Sequence, residues 1–283
     1  MPAPLDFDVR VRTPTGPLAR AVEGVWHVRG TVPYARERIA PTGSTVAVII
    51  LGDPIRQIAD DGAGRSLAST TGLLIGPHDR PIVNEPLGET HVVVVVTTPV
   101  GAGPALGVTP AAHRRSVDPL LPAWRPARRL RDRLLSDTDP EQRLDLVVDH
   151  LDANLDLAVP GLERCERAVA LLEAQPTRPV SAVAAAVGVS PAQLGRDFAR
   201  VVGLSPRVLA RLLRVRRLLE DIDGRGSVDW GGRAAELGWY DQSHLIRDFR
   251  RHTGVTPSAY LAAQRLYGPL DDDAGSAGFV PEP

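Results

Sequence analysis

The chain reads as an α+β protein: a small antiparallel β domain with helices, then an all-α domain of two helix–turn–helix units. Three observations predict this. Between Leu18 and Thr98, short β-branched runs are cut by Gly, Pro and Asp. From Pro119 onward the apolar period becomes helical. Near the C-terminus one phrase is written twice, as LGRDFARVVGLSP (Leu194 to Pro206) and LIRDFRRHTGVTP (Leu245 to Pro257).

In chain order, residues 1–18 carry several prolines and read as a poorly ordered lead-in. Val22 to Val28, Thr45 to Leu51, Leu73 to Ile75 and His91 to Thr98 read as strands, each stopped by turn residues. The valine run at 92–96 suggests a strand buried on both faces. An antiparallel sheet or a small barrel accommodates such strands. Helices follow: one with Leu130, Leu134 and Leu135 on one face, one over Pro140 to Asp156, and one over Leu162 to Ala174. The resulting divisions are 1–118 (β-rich), 119–177 (helical linker region), 178–268 (double helix–turn–helix) and 269–283 (a disordered acidic tail).

No apolar run is long enough to span a bilayer and no signal peptide is visible. With a single cysteine, Cys165, a disulfide framework is excluded and a cytoplasmic setting is expected. His27, His78, His91 and His113 have no metal-ligand spacing, so they read as ordinary polar or core residues. Cys165 reads as a structural thiol rather than a sensor. Neither metal nor cofactor is expected, and no catalytic motif stands out, so the chain does not read as an enzyme. The net charge of −1 hides an asymmetry: residues 178–268 hold 14 Arg against 8 acids, a balance of +6. A basic C-terminal module suits nucleic acid.

The repeat gives each unit its grammar. Ser181 reads as the cap of a short Ala-rich helix that Gly188 ends. Ser190-Pro191 starts a second helix, with Leu194 and Phe198 inward. Ser205-Pro206 then opens a longer linker helix, apolar on one side and Arg-rich on the other. The second unit begins near Asp229; Gly238-Trp239-Tyr240 is its turn, Asp241 the cap, and Leu245 and Phe249 its core edge.

The segment from about Val180 to Leu261 resembles the DNA-binding domain of the AraC/XylS family of bacterial transcriptional regulators. GWYDQSHLIRDFRRHTGVTPSAYL and VGVSPAQLGRDFARVVGLSPRVLARLLRVRRLL carry the resemblance. The front of the chain (VEGVWHVRG, a strand ending LGDP, LLIGPHDRPI, and the helical stretch after Asp118) is similar to the N-terminal domain of a subgroup, which implies a cupin-like β domain.

The resemblance implies double-stranded DNA as partner, with the second helix of each unit entering successive major grooves ~34 Å apart. The matching base-contact positions are Ala192, Gln193, Gly195 and Arg196, then Gln242, Ser243, His244, Ile246 and Arg247. Arg200, Arg250 and Arg251 match phosphate contacts. Asp197 and Asp248 compete for Arg196 and Arg247. Gly195 stands where a polar residue is usual, so the first unit is expected to read fewer bases. A small-molecule effector in the N-terminal domain, a homodimer, and RNA polymerase in the case of an activator complete the implied partners; the effector's site is not marked. Two other readings stay open: a DNA-binding regulator controlled by a protein partner, and a cupin-like metal enzyme fused to a DNA-binding domain.

Overall fold

The computed structural model describes residues 6–58, 66–222, 228–267 and 278–282. The N-terminal part begins with β1 (Asp6–Arg12), β2 (Val22–Thr31), β3 (Arg36–Ile39), β4 (Val46–Ile50) and β5 (Ile55–Ile58). It continues with β6 (Ser66–Ser69), β7 (Gly72–Ile75), β8 (Ile82–Pro86) and β9 (Thr90–Thr97). Then come α1 (Ala102–Leu106), a 3-10 turn (Pro110–His113), β10 (Val117–Pro119), α2 (Leu120–Ala123), α3 (Ala127–Ser136), α4 (Pro140–Ala153) and α5 (Leu162–Ala174). The helix–turn–helix part holds α6 (Val180–Ala186), α7 (Pro191–Val201), α8 (Pro206–Asp221), α9 (Trp230–Glu236), α10 (Gln242–Thr253) and α11 (Pro257–Tyr267), with β11 (Phe279–Glu282) last.

Two antiparallel sheets form, ordered β1-β2-β9-β4-β7-β10 and β11-β3-β8-β5-β6. The six-stranded sheet is covered on one face by α3 and α4. Val25, Ala47, Ile49, Leu74, Val93 and Val95 on that face share a core with Leu130, Leu134, Leu144, Val147 and Leu151. Its other face meets the second sheet, where Ile50, Leu73 and Val92 pack with Ile55. The valine run predicts a strand buried on both faces; β9 instead alternates, with Val93 and Val95 fully buried against the helices and Val94 and Val96 half-buried. The α+β class and the two facing antiparallel sheets agree with the expected architecture.

Three other expectations change. The lead-in is partly a strand, since β1 pairs with β2 along its whole length, from Asp6↔Thr31 to Arg12↔Val25. The acidic tail is not wholly free: residues 269–277 lie outside the described residues, but β11 pairs with β3 from Phe279↔Ile39 to Glu282↔Arg36. Val280 is buried there, and Glu282 forms an ion pair with Arg38, so this acid has a fixed partner. The helical stretch 119–177 divides between two cores. Whereas α3 and α4 sit on the sheet, Leu162, Cys165, Ala168 and Leu172 of α5 pack with Val183, Leu194 and Phe198.

Along α8 the chain passes from one core to the next. Leu209, Leu212 and Leu213 pack with the first unit, Val215, Leu218 and Leu219 with the second. At 16 residues the helix is about 24 Å long.

Candidate nucleic-acid interface

The caps follow the repeat. Ser190 Oγ accepts from the Gln193 amide at 3.2 Å, Ser205 Oγ from Val208 at 3.3 Å, and Asp241 Oδ1 from His244 at 2.6 Å. Ser181 does not cap α6; that helix begins one residue earlier, behind Pro179, with no side-chain cap. The glycines that end the helices, Gly188, Gly203, Gly238 and Gly254, all have φ between +75° and +79°. In this left-handed region glycine alone is unstrained.

Both second helices hide an aspartate at the same repeat position. Asp197 and Asp248 are 3% and 7% exposed. Neither binds the neighbouring arginine that sequence offered as its competitor. Asp197 accepts from Arg164 of α5 at 2.6 Å and from Gln193 at 3.0 Å, and Arg200 lies at 3.3 Å. Asp248 accepts from the indole of Trp239 at 3.0 Å, with Arg214 at 3.9 Å and His244 at 3.6 Å. These aspartates anchor each helix to its own unit. The equal Asp in the two copies was the signal that could have revealed this.

With the aspartates turned inward, the outer faces are left for a ligand. On α10, Gln242, Ser243 and Arg247 are exposed, and none of the described residues pairs with their side chains; the same holds for Arg250. His244 is half-buried beside Asp248, and Ile246 is half-buried against the second core. On α7, Ala192 and Arg196 are exposed, and Gln193 and Gly195 half-buried. Gln193 is already engaged: its Oε1 accepts from Arg196 at 2.6 Å while its Nε2 holds Asp197. To read a base it must exchange both bonds. A Cβ added at Gly195 would meet nothing within 4 Å, so no contact inside the protein requires glycine there.

The three remaining arginines differ. Arg250 is exposed, with no side-chain partner among the described residues. Arg200 donates to the Pro160 carbonyl at 2.9 Å. Arg251 is paired with Asp79 of the N-terminal part at 2.7 Å, so a phosphate would have to compete with a buried carboxylate. Tyr240, in the turn before α10, is 92% exposed, and Trp239 below it is buried under Arg214, whose guanidinium carbon lies 5.3 Å from the ring centroid.

His27 and His91, read from the sequence as ordinary polar or core residues, and Cys165, read as a structural thiol, are buried. His27 and His91 meet, Nε2 to Nε2 at 3.1 Å, but their shared neighbour is the Arg143 guanidinium at 3.3 and 3.0 Å. A cation in that position opposes a metal ion. Among the described residues no three His, Cys, Asp or Glu side chains gather as a metal site. Cys165 is fully buried, and burial, followed by the nearby Asp197, pushes its thiol up to about 12; it is not a reactive thiolate. No helix among the described residues is long and apolar enough to cross a membrane.

Residues 183–263 match the helix–turn–helix domain family. Among solved structures, the chain is similar to ToxT from Vibrio cholerae, at 11% identity over 92% of this chain and 98% of that one, with a TM-score of 0.47. It is similar to an AraC-type DNA-binding domain-containing regulator from Chromobacterium violaceum, at 28% identity over 36% of this chain and 92% of that one, TM-score 0.33. A probable AraC family regulator from Rhodopseudomonas palustris is similar at 27% identity, over 37% of this chain and 98% of that one, TM-score 0.32. A search of curated proteins returned no match. Matched residues, duplicated caps and two equivalent second helices together make residues 183–263 a helix–turn–helix domain.

Proposed function

We propose that this protein is a sequence-specific DNA-binding transcriptional regulator that reads two successive major-groove segments with α7 and α10. The observation that carries this is the contrast on α10: buried Asp248 ties the helix down, while the exposed Gln242, Ser243, Arg247 and Arg250 have no side-chain partner among the described residues; α7 repeats the buried Asp, with Arg196 exposed beside Gln193. In this reading Gln242, Ser243, His244, Ile246 and Arg247 contact bases on one segment, and Ala192, Gln193, Gly195 and Arg196 on the other. Arg250 and Arg200 contact phosphates, and Arg251 does so only on leaving Asp79. On a site selected from random duplexes, Arg247→Ala should weaken binding by about 1–3 kcal/mol and relax preference at one position. An equal loss on every sequence would move Arg247 to the phosphate class.

The N-terminal domain also carries features of a small-molecule site. Glu37, Asn84 and Gln57 are cross-strand neighbours on β3, β8 and β5. Gln57 shares a face with Ile55, which packs against the six-stranded sheet, so this polar row faces inward. Asn84 Nδ2 donates to Glu37 at 3.2 Å and the Tyr34 hydroxyl donates to its other oxygen at 3.1 Å. Burial pushes the Glu37 carboxyl up. Asn84 Oδ1 and the indole nitrogen of Trp26 are buried without partners among the described residues. A buried polar atom left unpaired is costly, and a bound molecule would relieve it.

An effector with hydroxyl or amine donors suits Asn84 Oδ1 in this row. Such a molecule, found by thermal shift in a panel of small amines and polyols, should raise the melting temperature of the wild type. It should raise that of Asn84→Ala far less. An equal rise in both would place the effector elsewhere.

A further inference from the structure

Gly203 closes α7 and Gly254 closes α10, at equivalent places in the repeat. Both glycines rest on prolines of one short segment of the N-terminal domain. A Cβ added at Gly203 would meet Pro77 Cγ at 2.7 Å and Pro110 Cβ at 3.0 Å. A Cβ added at Gly254 would meet Arg38 Nη1 at 3.0 Å and Pro81 Cγ at 3.1 Å. Pro77 and Pro81 are four residues apart, which limits their separation to about 14 Å. Midway between them is Asp79, 1% exposed. Its carboxylate accepts from Arg251 of α10 at 2.7 Å, and its carbonyl accepts from Nδ1 of the buried His252 at 2.8 Å.

The segment is itself braced. Arg115 Nε donates to Asp79 at 2.8 Å, the Arg115 amide to the Pro77 carbonyl at 2.9 Å, and the Gly76 amide to the Ser116 carbonyl at 3.0 Å. Arg115 has φ +57°, the one positive value at a non-glycine residue among the described residues. A left-handed backbone costs such a residue energy, and here it places both donors on the segment.

We propose that Pro77–Pro81 is a caliper: it grips the C-terminal ends of both recognition helices and so selects the half-site spacing the protein accepts, with Asp79 as the positioning residue. The proposal rests on reading α7 and α10 as the DNA-contacting helices. A single linker helix fixes a distance between two units, while a second connection also fixes their rotation. The grip is at the far end from the helix N-termini that would enter the grooves, so it leaves the reading faces open. It also connects the two halves of the molecule: β8, which carries Asn84, begins immediately after Pro81, and Arg38 beside Gly254 follows Glu37 on β3.

The test uses the full-length protein without DNA. Nitroxide labels at Ala199→Cys on α7 and Ala235→Cys on α9 lie on exposed positions, and native Cys165 is buried from the reagent. Pulsed electron resonance should give one narrow distance for the parent and broadened distributions for Asp79→Ala and Pro77→Gly. Where Asp79→Ala does not fold, Arg115→Gln removes one of its two cations and should broaden the distribution too. A distribution unchanged in the folded variants overturns the caliper.

With DNA, the parent should lose roughly tenfold when one base pair is inserted between the half-sites, which rotates one of them by about a tenth of a turn. Folded variants should lose under about threefold; Pro77→Gly should do so with an unaltered salt dependence, and Asp79→Ala, which releases Arg251, with a steeper one. A merely structural role would lower stability and leave the spacing penalty in place, and that result also overturns the caliper. A parent that binds no duplex would overturn the DNA reading and the spacing role together, while the label distances still judge the grip.

Discussion

Gly195 and Asp197 stand two residues apart on α7 and are opposite in kind. Asp197 is buried and held by Arg164, Gln193 and Arg200. Gly195 has open space where a side chain would be. A glycine inside a helix costs about 1 kcal/mol relative to alanine, and a Cβ at this one would meet nothing within 4 Å. Close approach of another molecule to the backbone is a physical use for it. The His27–His91–Arg143 cluster makes a different demand, on pH. His91 is pushed down to about 4, first by burial and then by Arg143, and His27 is lowered for the same two reasons. The fold therefore keeps both rings neutral, while the unfolded chain takes up protons near the ordinary value of about 6.5. The stability this preference supplies is complete above about 6.5 and is lost as pH falls through 4. The urea midpoint should fall across that window, and His91→Gln, which keeps an acceptor for Arg143, should flatten the fall. A fall of the same depth in His91→Gln would assign the titration to other groups.

At the scale of elements, legibility follows how local the determinants are. The repeat showed the helix–turn–helix units because caps, glycines and apolar spacing act within a dozen residues; Ser190, Ser205, Asp241, Leu194, Phe198, Leu245 and Phe249 stand where expected. The four strands with apolar or alternating runs ended by turn residues were visible for the same reason. Short strands such as β3 and β5 were not, because RERI and IRQI owe their pairing to neighbours far along the chain, including the Arg36–Glu85–Arg56 row. β11 was hidden by composition: acids nearby suggested a solvated tail, whereas Val280 fills the second unit's core and Gln264 donates to the Phe279 carbonyl at 2.7 Å. In the candidate site, exposure at Ala192, Arg196, Gln242, Ser243 and Arg247 agrees with the sequence pattern. The engagement of Gln193 by Arg196 and Asp197, and of Arg251 by Asp79, could not be read, since both depend on rotamers and tertiary neighbours. The two helices differ accordingly: the donors of α10 have no partner among the described residues, and Gln193 of α7 is engaged on both sides.

The molecule as a whole is two helix–turn–helix units joined by α8 and held against a β domain. Besides the Asp79 cluster, Arg216 of α8 pairs with Glu23 of β2 at 2.7 Å, and β11 ties the end of the chain back to β3. Such an assembly would present α7 and α10 to one face of a duplex without needing a second copy of the chain. The most direct measurement is a hydroxyl-radical footprint of the full-length protein on a duplex selected from random sequence. Two protected tracts on one face, about one helical turn (~34 Å) apart, are predicted, the stronger one under α10. A single protected tract, or protection that does not repeat with the helical turn, would contradict the two-groove account.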